Sequence, residues 1–133
     1  MTSAADLVSM MPFAATIGMQ LDSAEKDTVV GRLPYDASRT TAGGAVHGGA
    51  LMALADSIGA ICAFLNLPPG AGTSTTSSSS VFLRAVRAGD VTATASPLHV
   101  GRSTIAVRTE LRDEQDRLVA QVTQTQAVLN NNG

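Results

Sequence analysis

The segment from Thr40 to Asn66 constrains this chain most, because its long apolar run contains a single carboxylate, Asp56. Bulky residues recur there at three- and four-residue spacing, which places them on one helix face: Leu51, Leu54, Ile58, Ile61 and Leu65. Asp56 lies nearly opposite, on a face of mostly small residues: Gly49, Met52, Ala53, Ala60 and Ala63. An isolated carboxylate is costly to bury, and small neighbours leave room for water. The pattern therefore predicts that Asp56 faces a water-filled cavity, which is the candidate active site.

The composition excludes several classes of partner. Aromatic residues make up 3% of the 133 residues and the formal net charge is −2, so stacking surfaces and basic patches for nucleic acid are not expected. His47 and His99 are scattered and Cys62 is the single cysteine, so neither a metal site nor an intrachain disulfide is predicted. A hydrophobic content of 44% in a chain of this length predicts one folded domain over residues 1–133.

The apolar run over residues 45–67 is long enough to span a bilayer. A central aspartate costs roughly 2.5–3.5 kcal/mol on insertion scales, and alanine and glycine offset little of it. No membrane partner is therefore expected. The first basic residue is Lys26, which is not typical of a secretory signal, so a cytoplasmic location is expected.

Breaker and turn residues divide the rest of the chain into short elements. An amphipathic helix is predicted over residues 4–11, ending at Pro12 within a helical lead-in over 1–17. The other predicted elements are extended segments over 18–24 and 28–34, a loop over 40–44, the long helix from near Val46 to the Pro-Pro-Gly sequence at 68–70, four β segments over 73–83, 91–100, 103–112 and 118–129, and a frayed tail over 130–133. The hairpin spacing of the four β segments predicts an antiparallel meander.

One buried helix and five or six antiparallel strands predict an α+β fold in which a curved sheet wraps around the helix. The bulky stripe then faces the sheet. The opposite face, which carries Asp56, is expected to look away from its own sheet towards a partner subunit.

The sequence His47-Gly48-Gly49-Ala50-Leu51, followed by Ala53-Leu54-Ala55-Asp56, resembles the hotdog-fold acyl-CoA thioesterases of the phenylacetate-degradation type. Weaker matches over 18–129 are Val81-Phe82-Leu83-Arg84, Arg87-Ala88-Gly89-Asp90, Gly101-Arg102 and Leu118-Val119-Ala120. The resemblance implies the hotdog fold and hydrolysis of an acyl-CoA thioester without a cofactor. The chain departs from the family at Thr41, where Asn or Gln is frequent, and at Ala85, where Pro is common.

The resemblance also implies roles for individual residues. Asp56 corresponds to the general base or nucleophile, and the backbone N–H of Gly48 polarises the thioester carbonyl. Thr75 or Ser74 holds the catalytic water, and Thr41 occupies the position of the family's amide side chain. Substrate contacts are predicted at Gly49 and Ala60, with CoA phosphates at three arginines: Arg84, Arg87 and Arg102.

Each of these residues also has a plainer interpretation. Asp56 is alternatively a buried carboxylate that caps a backbone group, and Gly48 a flexible lead-in to the helix. His47 either orients the carbonyl or the loop, or simply fixes the start of the helix. The arginines are alternatively solvated surface residues.

The spacing of Gly48 and Asp56 predicts a dimer. Eight residues along a helix correspond to about 12 Å, so the two groups of one helix do not reach the same carbonyl. An antiparallel copy of the helix across a twofold axis would bring Asp56 of one subunit to Gly48 of the other. A homodimer with two shared sites is predicted, with pairing of dimers into a tetramer.

Two other functions remain open from the sequence. A non-catalytic acyl-CoA-binding hotdog protein is the first, because Thr41 is shorter than an amide side chain. A hotdog dehydratase or hydratase is the second, although such enzymes use a histidine with an acid on different elements. The chain has no Gly-x-Ser-x-Gly sequence and no glycine-rich phosphate loop, so a serine hydrolase or nucleotide-binding protein is not expected.

Overall fold

The computed structural model describes residues 4–130 and places one long helix against a six-stranded antiparallel sheet. The elements in chain order are α1 (Ala4–Ser9), α2 (Pro12–Thr16), β1 (Gln20–Ala24), β2 (Val29–Leu33), α3 (Gly48–Leu65), β3 (Gly72–Phe82), β4 (Val91–Val100), β5 (Thr104–Arg112) and β6 (Leu118–Leu129). Six strands span about 24 Å, whereas a helix is about 10 Å wide. Because α3 contacts all six strands, the sheet curves around it, which confirms the predicted fold class.

The strand order β1-β2-β4-β5-β6-β3 differs from a simple meander. β4, β5 and β6 form consecutive hairpins, as predicted, but β3 pairs with β6 at the sheet edge rather than with β4. Eight residues separate Phe82 from Val91. This connection is longer than a tight hairpin turn and carries the chain past the start of α3, where Val86 accepts a hydrogen bond from the Val46 N–H. β3 consequently lies beside α3 with one edge unpaired among the described residues.

Two predicted boundaries are wrong for local reasons. Pro12 does not simply end a helix over 4–11, because α1 ends at Ser9 and Pro12 begins α2, where its missing N–H costs nothing. α3 begins at Gly48 instead of near Val46, since Val46 forms a β-bridge with Thr40. Of the lead-in over 1–17 and the tail over 130–133, residues 1–3 and 131–133 lie outside the described residues.

The ends of α3 are capped by side chains. His47 Nδ1 accepts a hydrogen bond from the Gly49 N–H at 2.8 Å. At the other end, the Asn66 amide donates to the carbonyls of Cys62 and Lys26, both at 2.8 Å. By length and composition α3 would also cross a membrane. One face of α3 packs into the core, where four members of the predicted stripe are buried: Leu51, Leu54, Ile58 and Ile61.

Two glycines fix how α3 sits in the sheet. A Cβ atom on Gly31 of β2 would overlap the Ile58 side chain of α3. A Cβ atom on Gly59, the next helix residue, would overlap the Gln124 amide of β6. Each glycine therefore leaves a space that a side chain from the other layer fills. Ile58 of the helix fills the space at Gly31, and Gln124 of the sheet fills the space at Gly59.

The single cysteine, Cys62, lies in the core between α3 and the sheet. Burial raises the pKa of its thiol to about 11, and the negative charge of Asp27 adds to this effect. The thiol is therefore protonated at every pH below that value in the folded protein.

We expect Cys62 of the native protein to resist iodoacetamide at about pH 8, because the reagent attacks the thiolate and the thiol is both inaccessible and protonated. The urea-unfolded chain is expected to react completely under the same conditions. Mass spectrometry of the intact protein measures both. Native labelling as fast as that of the unfolded chain would contradict the placement of Cys62 in the core.

Candidate active site

Asp56 lies in the third turn of α3, where its side chain is exposed at the boundary with strand β3. Its Oδ1 accepts a hydrogen bond from the Thr75 hydroxyl at 2.8 Å and a longer one from the Gln124 amide at 3.3 Å. Its Oδ2 accepts none from the residues that the structure describes. One carboxylate oxygen is thus held by the protein and the other is free to meet water or substrate.

This geometry corrects two expectations about Asp56. The carboxylate does not look away from its own sheet, because edge strand β3 and its neighbour β6 reach it from the same chain. It also does not cap a backbone group, since both donors to its carboxylate are side chains. The predicted meander places β3 beside β4. The contacts of Asp56 with Thr75 and Gln124 could not be inferred from it, because in the structure β3 pairs with β6.

A chain of buried polar groups continues beneath Thr75. Gln126 Nε2 donates to the Thr75 hydroxyl oxygen at 2.6 Å, and Gln126 Oε1 accepts from the Thr73 hydroxyl at 3.0 Å. Gln124 and Gln126 are 1% and 0% exposed, respectively. Every second residue of β6 from Ala120 to Val128 is buried, and these two glutamines are the polar members of that row.

Sequence reasoning missed both glutamines, although a signal was present. Residues 120, 122, 124, 126 and 128 alternate on one face of the strand, and two amides at core positions require buried partners. The orientation of the Gln124 amide is set by its neighbours. Its Nε2 faces two acceptors, the Asp56 backbone carbonyl and Oδ1, whereas a flipped amide would place oxygen against oxygen.

The start of α3 presents one unused donor. Gly49 N–H donates to His47 Nδ1, and the N–H groups of Ala50 and Leu51 donate to the His47 carbonyl. The Gly48 N–H makes no hydrogen bond within the described chain. A Cβ atom on Gly48 would lie 3.5 Å from the Phe82 ring, so this ring is adjacent to the free Gly48 N–H. A helix N-terminus with a free N–H is suited to an oxygen that gains negative charge.

The sequence matches the family model of the thioesterase superfamily over residues 43–120, more than half of the chain. The chain belongs to this superfamily. It is 31% identical over 101 residues to EntH, a proofreading thioesterase of Cronobacter turicensis, in an alignment that covers 76% of this chain and 74% of EntH. A thioesterase structure from Haemophilus influenzae covers 100% of this chain and 94% of its own, with a TM-score of 0.93 and 26% identity. The chain is thus a thioester hydrolase with the hotdog fold.

The other candidate residues of this thioesterase divide into those near Asp56 and those apart from it. Thr75 contacts Asp56, whereas Ser74 is the preceding residue of β3, exposed and directed to the opposite face. Thr41 is exposed in a turn closed by its own backbone, which bonds to Ala45 and Gly44. His47 serves as the cap of α3. Because that cap occupies the Gly49 N–H, Gly49 is not available as a hydrogen-bond donor to substrate.

Ala60 lies one helical turn after Asp56 and lines a cavity of about 150 Å³ between α1 and α3. The rest of the wall is almost entirely apolar: Leu7, Met10, Met11, Ile61, Phe64 and Thr73. The thioesterase therefore has an apolar slot on the same helix face as its exposed carboxylate.

The three candidate arginines are all exposed, but they lie at different ends of α3. Arg84 and Arg87 belong to the connection that meets the chain just before Gly48. Arg102 lies beside Asn66 and Leu67, at the opposite end of the helix. An 18-residue helix is about 27 Å long, so Arg102 is far from the Gly48 of its own chain.

Proposed function

We propose that this thioesterase hydrolyses acyl-CoA, as the phenylacetate-degradation type does, with Asp56 as the catalytic carboxylate and the Gly48 N–H as the carbonyl-polarising donor. The observation that carries this proposal is the asymmetric environment of Asp56. Its Oδ1 is held by Thr75 and Gln124, while its Oδ2 is free in an exposed position. A general base or nucleophile needs this combination of fixed orientation and access.

In the proposed reaction, the thioester carbonyl oxygen accepts a hydrogen bond from Gly48. Asp56 either removes a proton from water as it attacks the carbonyl carbon, or attacks that carbon itself and forms an anhydride that water then cleaves. The carbon–sulfur bond breaks in both routes. CoA leaves as the thiol, and the acyl group becomes a carboxylic acid.

We propose that the active unit is a homodimer, with pairing of two dimers as the further prediction. The helix spacing of about 12 Å between Gly48 and Asp56 requires a second chain at each site. The surface between α3 and the free edge of β3 supports it, because apolar side chains are exposed there: Met52, Phe64, Val81, Phe82 and Leu83. An antiparallel dimer would also bring Arg102 of one subunit towards the Gly48 end of the other, where Arg84 and Arg87 lie.

The cavity beside Ala60 is the proposed acyl slot. A cavity of about 150 Å³ holds one small aromatic ring or a short aliphatic chain. Methionine side chains in its wall adapt to ligands of different shape. We therefore expect activity to fall as the acyl group exceeds this size.

The rival functions have less support. A dehydratase needs a histidine beside an acid, but His47 Nδ1 is engaged as the helix cap and no histidine bonds to Asp56 among residues 4–130. A binding protein without activity would not need a carboxylate oriented by two side chains. Direct assay of hydrolysis separates this second rival from an enzyme.

Thiol release from a panel of acyl-CoAs, followed with a chromogenic thiol reagent, tests the proposal. We expect multiple turnovers, fastest for acyl groups that fit the slot. The matched control is the same acyl group on N-acetylcysteamine, which lacks the CoA phosphates and should raise KM if the arginines bind them. Calorimetric binding of acyl-CoAs without thiol release from any would instead support the binding protein.

A further inference from the structure

Gln126 is fully buried and is connected to Asp56, the candidate catalytic carboxylate, by two hydrogen bonds that share Thr75. Its Nε2 lies 2.6 Å from the Thr75 hydroxyl, which in turn lies 2.8 Å from Asp56 Oδ1. At the other end of the amide, Gln126 Oε1 lies 3.0 Å from the Thr73 hydroxyl, whose single hydrogen also has the Ala127 carbonyl oxygen at 2.9 Å. The orientation of the amide is therefore set at the Thr75 end.

The direction of these hydrogen bonds follows from proton counting. A threonine hydroxyl has one hydrogen and can accept through its lone pairs. Since Gln126 donates to the Thr75 oxygen, the single Thr75 hydrogen is available for Asp56. A flipped Gln126 amide would accept that hydrogen, and Thr75 and Asp56 would then face each other as two oxygens, unless Asp56 were protonated.

We propose that Gln126 is a positioning residue for the hydrolysis, which commits the Thr75 hydrogen to Asp56 and so keeps the carboxylate oriented. This inference rests on the proposed function of Asp56. It also revises the predicted role of Thr75, which uses its hydrogen to hold the carboxylate and therefore has none to donate to the catalytic water.

The elements that contact Asp56 contain few other ionisable side chains. β3 and β6, the strands that contact it, contain no ionisable side chain. Within α3 itself, the other ionisable side chain is Cys62, whose raised pKa keeps it neutral. The orientation of the Asp56 carboxylate therefore depends on hydrogen bonding from Thr75 and Gln124, and through Thr75 on Gln126.

A double-mutant cycle tests this inference with Gln126→Met, Thr75→Val and the combined variant. Gln126→Met removes the neutral hydrogen bond that fixes the Thr75 hydroxyl, which predicts about a fivefold loss of kcat with little change in KM. In the Thr75→Val background, Gln126→Met should have almost no further effect, because it acts through Thr75. Additive losses in the two backgrounds, or a loss in Gln126→Met that appears in KM rather than in kcat, would overturn the proposal.

Two further variants provide a control and an alternative substitution at position 126. Gln121→Met changes the same residue type on the opposite face of β6 and should retain normal kcat. If Gln126→Met does not fold, Gln126→Asn keeps a buried amide but is one methylene group shorter, which withdraws its donor from Thr75. It should lower kcat, and normal kcat in that variant would overturn the proposal.

An activity-independent measurement separates this inference from the proposed function. The ¹³C chemical shift of the Asp56 carboxyl at neutral pH should differ between Gln126→Met and wild type, because the Thr75 hydroxyl that bonds to Asp56 loses its fixed orientation. A difference between these two proteins, together with a wild type that hydrolyses no acyl-CoA, would contradict the proposed function alone. An active wild type whose Asp56 chemical shift is the same in Gln126→Met would contradict the positioning role alone.

Discussion

Replacement of Asp56 by asparagine is expected to lower turnover at least about 100-fold, because it removes a positioned base or nucleophile. The fold and the binding of acyl-CoA should be kept. An asparagine oxygen still accepts the hydrogen bonds from Thr75 and Gln124, and only the free Oδ2 becomes an amide nitrogen. Steady-state kinetics with the best acyl-CoA of the panel, alongside calorimetric binding of the same compound, measure the two effects separately.

Asp27→Asn is the matched control, since Asp27 is an exposed aspartate in the turn between β1 and β2. Its turnover should equal that of wild type. Near-normal hydrolysis by the Asp56→Asn protein would remove Asp56 from the mechanism. A single turnover in H₂¹⁸O then tests the nucleophilic route. If water cleaves the anhydride at the Asp56 carbonyl, the first product molecule carries one unlabelled oxygen from Asp56. A general base, or cleavage at the acyl carbonyl, gives product that carries ¹⁸O from the start.

Two variants that are inactive as homodimers, Gly48→Val and Asp56→Asn, are expected to restore activity when they are combined in a heterodimer. Gly48→Val should block approach of the carbonyl to the Gly48 N–H. A Cβ atom there makes ordinary contact with the exposed Phe82 ring at 3.5 Å, and the rest of the valine side chain requires that ring to move. Asp56→Asn removes the carboxylate. In a heterodimer of these two subunits, one shared site would carry both defects and the other would be intact. Activity should recover to about half the wild-type value per heterodimer, because both a base and a donor must lie about 3 Å from the reacting group.

Differently tagged subunits, co-expressed and purified through both tags, give the heterodimer for this measurement. Gly72→Val serves as a control for substitution at glycine, since a Cβ atom there meets nothing within 4 Å. Heterodimers that are folded and dimeric but as inactive as either parent would show that Asp56 and Gly48 act within one subunit or not together.

The helix and most strands could be predicted from the sequence because their signals are local. The spacing of Leu51, Leu54, Ile58 and Ile61 defines a helix face without reference to any other element. The pairing of β3 could not be predicted in the same way, since its choice of β6 over β4 depends on the path of the connection after Phe82. Local hairpin spacing contains no information about that path.

The candidate site shows the same division. Asp56 and Gly48 could be named as candidates from their positions on one helix and from a family resemblance. The contacts of Asp56 with Thr75 and Gln124 join residues that lie 19 and 68 positions apart, so they depend on the strand order. An error in the position of β3 was therefore also an error in the surroundings of Asp56.

The two interlocking glycine contacts have a consequence for how this site can evolve. Ile58 in the space at Gly31 and Gln124 in the space at Gly59 fix the rotation and the axial position of α3, and with them the distance from Asp56 to Thr75. A larger residue at position 59 is compatible with the fold only if position 124 becomes smaller, and the same holds for 31 and 58. Sequence change at these positions must therefore proceed in pairs. The proposed acyl slot near Ala60, which lies outside both contacts, is free to diverge one residue at a time.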